Sequence, residues 1–141
     1  MSNIISEIEL KYNPITNKQN RVKITSPESA YKAFLDNWDA DTIELFEEFK
    51  VMLLNRANEV LGIYTLSKGG ITGTVVDLRL LFAVVLKTAA SSIIFAHNHP
   101  SGNLKSSEAD KRLNEKIKKV AKYLDIQVLD NLIISINSYS N

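Results

Sequence analysis

Between Asp77 and Ala90 only Arg79, Lys87 and Thr88 interrupt an otherwise apolar run, and Ser92–Ala96 adds a second, shorter apolar segment directly after it. The first is long enough for a helix, with Asp77 placed to cap it, and so few polar positions mean that such a helix must be covered on most sides. The second reads as a short buried strand. It runs into His97-Asn98-His99-Pro100-Ser101-Gly102, where Pro and Gly must break it. A largely buried helix followed by a buried strand calls for a sheet with helices packed on it.

The remaining elements follow from periodicity. Glu7–Tyr12 and Arg21–Ile24 alternate polar with apolar residues around Asn13-Pro14 and Asn17–Asn20, which predicts a hairpin or two edge strands. Ser26-Pro27-Glu28 gives an N-cap, a proline at the first helical position and an acid in the first turn. Ala30, Tyr31, Phe34, Leu35 and Trp38 continue that helix to about Asp39. Phe49–Leu54 and Glu59–Leu66 read as a second hairpin turning at Asn55–Asn58 and closing at Lys68-Gly69-Gly70. Ser107–Leu124 carries Leu113, Ile117, Val120, Ala121 and Leu124 on one stripe, and Ile126–Ile136 returns as a last strand. The fold class is therefore α/β or α+β, a central mixed sheet flanked by helices. An N-terminal strand-bearing extension, residues 1–25, precedes one domain, residues 26–141.

Composition narrows the chemistry. Seventeen basic residues against sixteen acidic leave a net charge of +1, so the whole-molecule field steers neither nucleic acid nor anionic membrane toward the chain. With no cysteine, a thiol nucleophile and every sulfur-ligated zinc site are excluded, and a metal must be met by nitrogen and oxygen. Residues 1–10 show no basic region followed by an apolar run, and no stretch approaches about 18 apolar residues. No membrane association is expected, and a cytoplasmic location is the default expectation.

Both histidines of the chain sit in His97-Asn98-His99, two apart at a strand end, where alternate side chains share a face and can converge on one ion. Asp110 precedes Leu113 and Ile117 by three and seven residues, so it continues the inward stripe of its helix. Two imidazoles and a carboxylate make three ligands with a fourth position left for water, the arrangement of a catalytic zinc site. Structural alternatives stand beside this. A His-x-His pair also occurs as a simple turn or surface pair, and Ser107-x-x-Asp110 matches a helix capping signature.

The run from His97-Asn98-His99-Pro100-Ser101-Gly102 through Ser107 to Asp110 resembles the JAMM motif, His-x-His, seven residues, Ser, two residues, Asp. Its opening is similar to the RadC branch of that MPN-type family. Glu47-Glu48-Phe49, Met52–Arg56, Gly69-Gly70, Gly73-Thr74 and Val128-Leu129-Asp130 extend the likeness over about Ser26–Ile136. The helix-hairpin-helix domain that precedes this module in longer relatives has no counterpart in residues 1–25. The resemblance implies a cytidine-deaminase-like fold and a zinc metallopeptidase. It also implies His97, His99 and Asp110 as zinc ligands, Glu47 as general acid and base with Glu48 as the alternative, and Ser107 as support for the tetrahedral intermediate.

Asn131 stands where RadC proteins usually carry His, and Ser106 where they usually carry Pro before the serine. The chain ends at Asn141 where they continue, so an incomplete last strand is expected. The function this implies is hydrolysis of a peptide or isopeptide bond in an unknown protein or peptide substrate. The alternative is a non-catalytic module associated with DNA, since RadC proteins carry a DNA-repair name and Lys111, Arg112, Lys116, Lys118, Lys119 and Lys122 give one helix a basic face. A solvated face opposite the apolar stripe explains the same charges.

Overall fold

The computed structural model describes residues 4–14, 17–69 and 75–141. After a short 3-10 turn, Lys18–Asn20, helix α1 spans Pro27–Asp36. Ser26 caps it by accepting from the Ser29 N–H at 3.1 Å, while the Ser29 hydroxyl oxygen accepts from the Ser26 N–H at 3.0 Å. Strands β1 (Glu48–Leu54) and β2 (Val60–Lys68) form an antiparallel hairpin. Its turn is held by the Asn55 carboxamide oxygen, which accepts from the Ala57 and Glu59 N–H groups. Helix α2 (Leu78–Lys87) is capped by Asp77, and β3 (Ser92–Asn98) follows. Helix α3 (Glu108–Tyr123) then connects β3 to the parallel strand β4 (Gln127–Ile134), and the two-residue β5 (Tyr139–Ser140) closes the chain.

The five strands lie in the order β2-β1-β3-β4-β5, with β3 antiparallel to β1 and parallel to β4. Strand alternation divides the core into two clusters. Met52, Leu54, Ile94, Ala96, Leu132 and Ile134 face Phe34 of α1 and Trp38 just beyond its end. Phe49, Val51, Leu53, Ile93 and Phe95 face α2 and α3, meeting Leu81, Val85, Ile117 and Ala121. The sheet is thus covered on both faces. Among the described residues no helix is long and apolar enough to cross a membrane.

Three sequence expectations change. Of the hairpin or two edge strands expected within Glu7–Ile24, the described residues form one bridge, Lys23 to Glu59, flanked by backbone bonds of Val22 and Ile24 to Val60 and Asn58. An alternating strand is favoured only where one face finds apolar cover, and Ile8 and Leu10 stay 87% and 82% exposed. Tyr12 reaches back, donating its hydroxyl to the Leu61 carbonyl at 2.5 Å. Helix α2, expected to be buried on most sides, buries one face through Leu81, Phe82 and Val85 and leaves Leu86 55% exposed, because it lies on the flank of the sheet. The chain beyond β4 turns back at Ser135–Ser138 to pair as β5, a strand too short for any periodicity to announce. Of the glycine segments in the family resemblance, Gly70, Gly73 and Thr74 lie outside the described residues.

Candidate metal centre

Phe49 on β1 pairs with His97 on β3, and their rings lie stacked at 6.0 Å, which fixes the imidazole plane on the face covered by α2 and α3. Two residues on, His99 sits just past the strand end and returns to the same face. Pro100 and Gly102 turn the chain there, with the Gly102 N–H donating to the His99 carbonyl at 2.8 Å and Gly102 at a φ of 80°. Asp110 comes from the first turn of α3. The result is convergence: the Nε2 atoms of His97 and His99 stand 3.1 Å apart, and the two oxygens of Asp110 lie 3.2 Å from one Nε2 each.

Side chains around this point are held from behind. The Asp110 carboxylate accepts from the Ser107 N–H at 2.9 Å while the Ser107 hydroxyl oxygen accepts from the Asp110 N–H at 3.0 Å, a capping box that starts α3 and aims the acid together. His99 Nδ1 lies 2.7 Å from the Asn103 carbonyl. A carbonyl only accepts, so Nδ1 carries the proton and a neutral His99 presents a bare Nε2 to the cluster. Burial alone would raise the Asp110 carboxyl. Hydrogen bonds from His97 and the Ser107 amide outweigh it and hold the group well below the usual carboxylate range.

Glu47 completes the set. One donor atom each from Glu47, His97, His99 and Asp110 all lie within 4.8 Å of one another. Burial pushes the Glu47 carboxyl up, opposed by the charge of His97 and His99 and reinforced by Asp110. Glu48, one residue on, belongs to the opposite sheet face, where it is 5% exposed and its charge acts on Lys50. The one-residue phase therefore places Glu47, not Glu48, at the cluster. The His97, His99 and Asp110 donors fit a small divalent cation: two donors about 2.0–2.1 Å from a tetrahedral centre stand about 3.3–3.4 Å apart, against 3.1 Å between the two imidazoles and 3.2 Å from each to an Asp110 oxygen.

The family model of the RadC-like JAB domain matches residues 24–141. This chain belongs to the RadC-like JAB domain family. Over 139 residues it is 34% identical to a UPF0758 protein of Alkaliphilus metalliredigens, an overlap of 98% of this chain and 59% of that one. A UPF0758 protein of Flavobacterium johnsoniae is 50% identical over 93 residues, 66% of this chain and 41% of its own length. Another, of Clostridium beijerinckii, is 32% identical over 136 residues, 96% of this chain and 58% of its own. The RadC-like chain thus spans about half the length of the curated relatives it matches.

Other residues singled out in the sequence of this RadC-like domain lie apart from the cluster. Asn131 pairs with Phe95 on β3, two residues before His97, and its amide oxygen accepts from Asn114 at 3.2 Å, one turn of α3 below Asp110. The basic side chains of α3 all face solvent, with Tyr123 exposed at the end of the helix. Sequence reasoning missed the Asn103 carbonyl, a backbone group in a loop that no side-chain pattern could reveal.

Proposed function

We propose that this RadC-like domain is a zinc-dependent hydrolase that cleaves a peptide or isopeptide bond. In this reading His97, His99 and Asp110 hold the metal, Glu47 is the general acid and base, and Ser107 supports the developing oxyanion. The observation that carries the proposal is the gathering of four donor atoms within 4.8 Å at the end of one strand, with the second nitrogen of His99 already committed to a carbonyl. Two imidazole nitrogens and one carboxylate form the ligand set of catalytic zinc sites, which keep a fourth position open. Bound zinc supplies Lewis acidity there and brings the pKa of a coordinated water down toward about 7.

The side chains of this domain supply the proton transfers and the positioning. Burial raises the Glu47 carboxyl, moving it toward the range in which a group can both take a proton from water and return it to a leaving nitrogen. The Ser107 N–H, donating to the Asp110 carboxylate, favours its ionised form and leaves its oxygens turned toward the histidines. The Ser107 oxygen accepts from the Asp110 N–H, so its own O–H is left to donate to an oxyanion. A cavity of about 280 Å³ bounded by Ile43, Glu44, Pro100–Gly102 and Ser135–Asn137 meets the cluster through His99.

The test is metal analysis of the purified protein together with a scan of peptide and isopeptide substrates. Hydrolysis that needs zinc and disappears in Glu47→Gln, while zinc binding persists, supports the proposal. A protein that binds no zinc, or whose hydrolysis survives Glu47→Gln, refutes it.

A further inference from the structure

Asn98 stands between the two histidines, and strand alternation turns its side chain to the opposite face of the sheet from theirs. It is 0% exposed. A carboxamide so buried has to satisfy its polar atoms within the protein, and this one does so against a single stretch of chain. Its Nδ2 donates to the Ile43 carbonyl at 2.6 Å and to the Phe46 carbonyl at 2.8 Å, and its Oδ1 accepts from the Glu48 N–H at 2.8 Å. Exchanging oxygen and nitrogen would set an acceptor against two carbonyls and a donor against an N–H, so one orientation alone satisfies the site.

Two of those three partners flank Glu47. The Phe46 carbonyl belongs to the peptide group that enters Glu47, and the Glu48 N–H to the one that leaves it. The Glu47 carbonyl, on that second peptide group, accepts from the Gly69 N–H at 2.8 Å. Each peptide group is a rigid plane, and the φ and ψ of Glu47 are the only rotations that relate the two planes. Anchoring both therefore sets the direction in which the Glu47 side chain leaves the backbone. Strand β1 begins at Glu48, so its pairing with β2 reaches Glu47 only through the Gly69 bond to the second plane, and the first plane is left to Asn98.

We infer that Asn98 is the positioning residue for Glu47, holding the two peptide planes around it so that its carboxylate is delivered to the metal centre. This rests on the role proposed for Glu47 above. His97-Asn98-His99 then serves both faces of the sheet, with metal ligands on one and the anchor of the acid–base group on the other. The spacing between base and metal is thereby set through three consecutive residues.

The test uses the full chain labelled with carbon-13 at its glutamate carboxyl groups and Co2+ alone as the probe. In the unmodified protein the Glu47 resonance, identified by its loss in Glu47→Gln, should be strongly shifted by the ion. In Asn98→Ala the ion should still bind at one per chain, because His97, His99 and Asp110 are untouched, while the Glu47 shift collapses toward that of solvent-exposed glutamates. A Glu47 shift unchanged in folded Asn98→Ala overturns the inference and leaves the metal centre standing. A Glu47 resonance blind to Co2+ in the unmodified protein overturns both. Should Asn98→Ala fail to fold, hydrogen exchange in the unmodified protein decides. The Glu48 amide should then exchange at least about a hundredfold more slowly than exposed loop amides, and rapid exchange overturns the inference.

Discussion

Stripping the protein with a chelator and restoring zinc at neutral pH should raise its melting temperature by about 8–11 °C. The donor nitrogens and oxygens already stand 3.1 and 3.2 Å apart, against the roughly 3.3–3.4 Å of a tetrahedral zinc site, so loading needs only small side-chain shifts. Little of the binding free energy is then spent on rearrangement. A ligand that binds the native state alone adds RT ln(1 + [L]/Kd), about 2.7 kcal/mol at a hundredfold excess over Kd. A domain of this size converts that at about 3–4 °C per kcal/mol. Lowering the pH reverses the effect, because protons compete for the same imidazole nitrogens. Calorimetry at matched zinc concentrations between about pH 5 and 7.5 reads this directly. A stripped protein whose melting ignores zinc at neutral pH, or a His99→Ala variant that responds as strongly as the unmodified chain, refutes the reasoning.

Glu47→Gln should keep zinc and lower any hydrolysis by about 10²–10⁴-fold, read from initial rates on the substrate found in the peptide scan. The same variant should also melt higher than the unmodified protein when both are metal-free at neutral pH. The raised carboxyl of Glu47 means that its ionised form is disfavoured in the fold, a penalty present above the folded pKa and gone below the unfolded one, so the difference should vanish below about pH 4. Ser107→Ala removes the side-chain cap of α3 and should cost about 1 kcal/mol in denaturant unfolding, while the backbone N–H that holds Asp110 remains and zinc still binds. Phe95→Ala, at a fully buried ring stacked 5.4 Å from Phe49, should cost about 3–5 kcal/mol in the same assay.

Most of the sheet and the candidate centre could be read from the sequence because the signals were local. The stripe from Leu113 to Ala121, the Ser26-Pro27 start and the apolar strand before His97 each depend on neighbours a few residues away, and the structure places α3, α1 and β3 there. The two-residue spacing of His97 and His99 and the helical phase of Asp110 allow three donors to share one side, the family resemblance adds Glu47, and the structure gathers all four. The N-terminal alternation misled because pattern alone cannot supply the apolar face a strand must cover, and Ile8 and Leu10 meet none. Helix α2 was over-buried in expectation because composition reveals how apolar a helix is, not where on the sheet it lies. The role of Asn98 was invisible for a different reason. Its partners Ile43, Phe46 and Glu48 lie 50 to 55 residues away in the chain, so only tertiary structure pairs them.

Zinc-edge X-ray absorption on protein loaded with one equivalent of zinc is the most direct test of the metal centre. The account predicts nitrogen and oxygen neighbours at about 2.0–2.2 Å with the outer-shell signature of two imidazoles, and loss of one imidazole in His99→Ala. A first shell with one imidazole or none, or a spectrum that His99→Ala leaves unchanged, would contradict it.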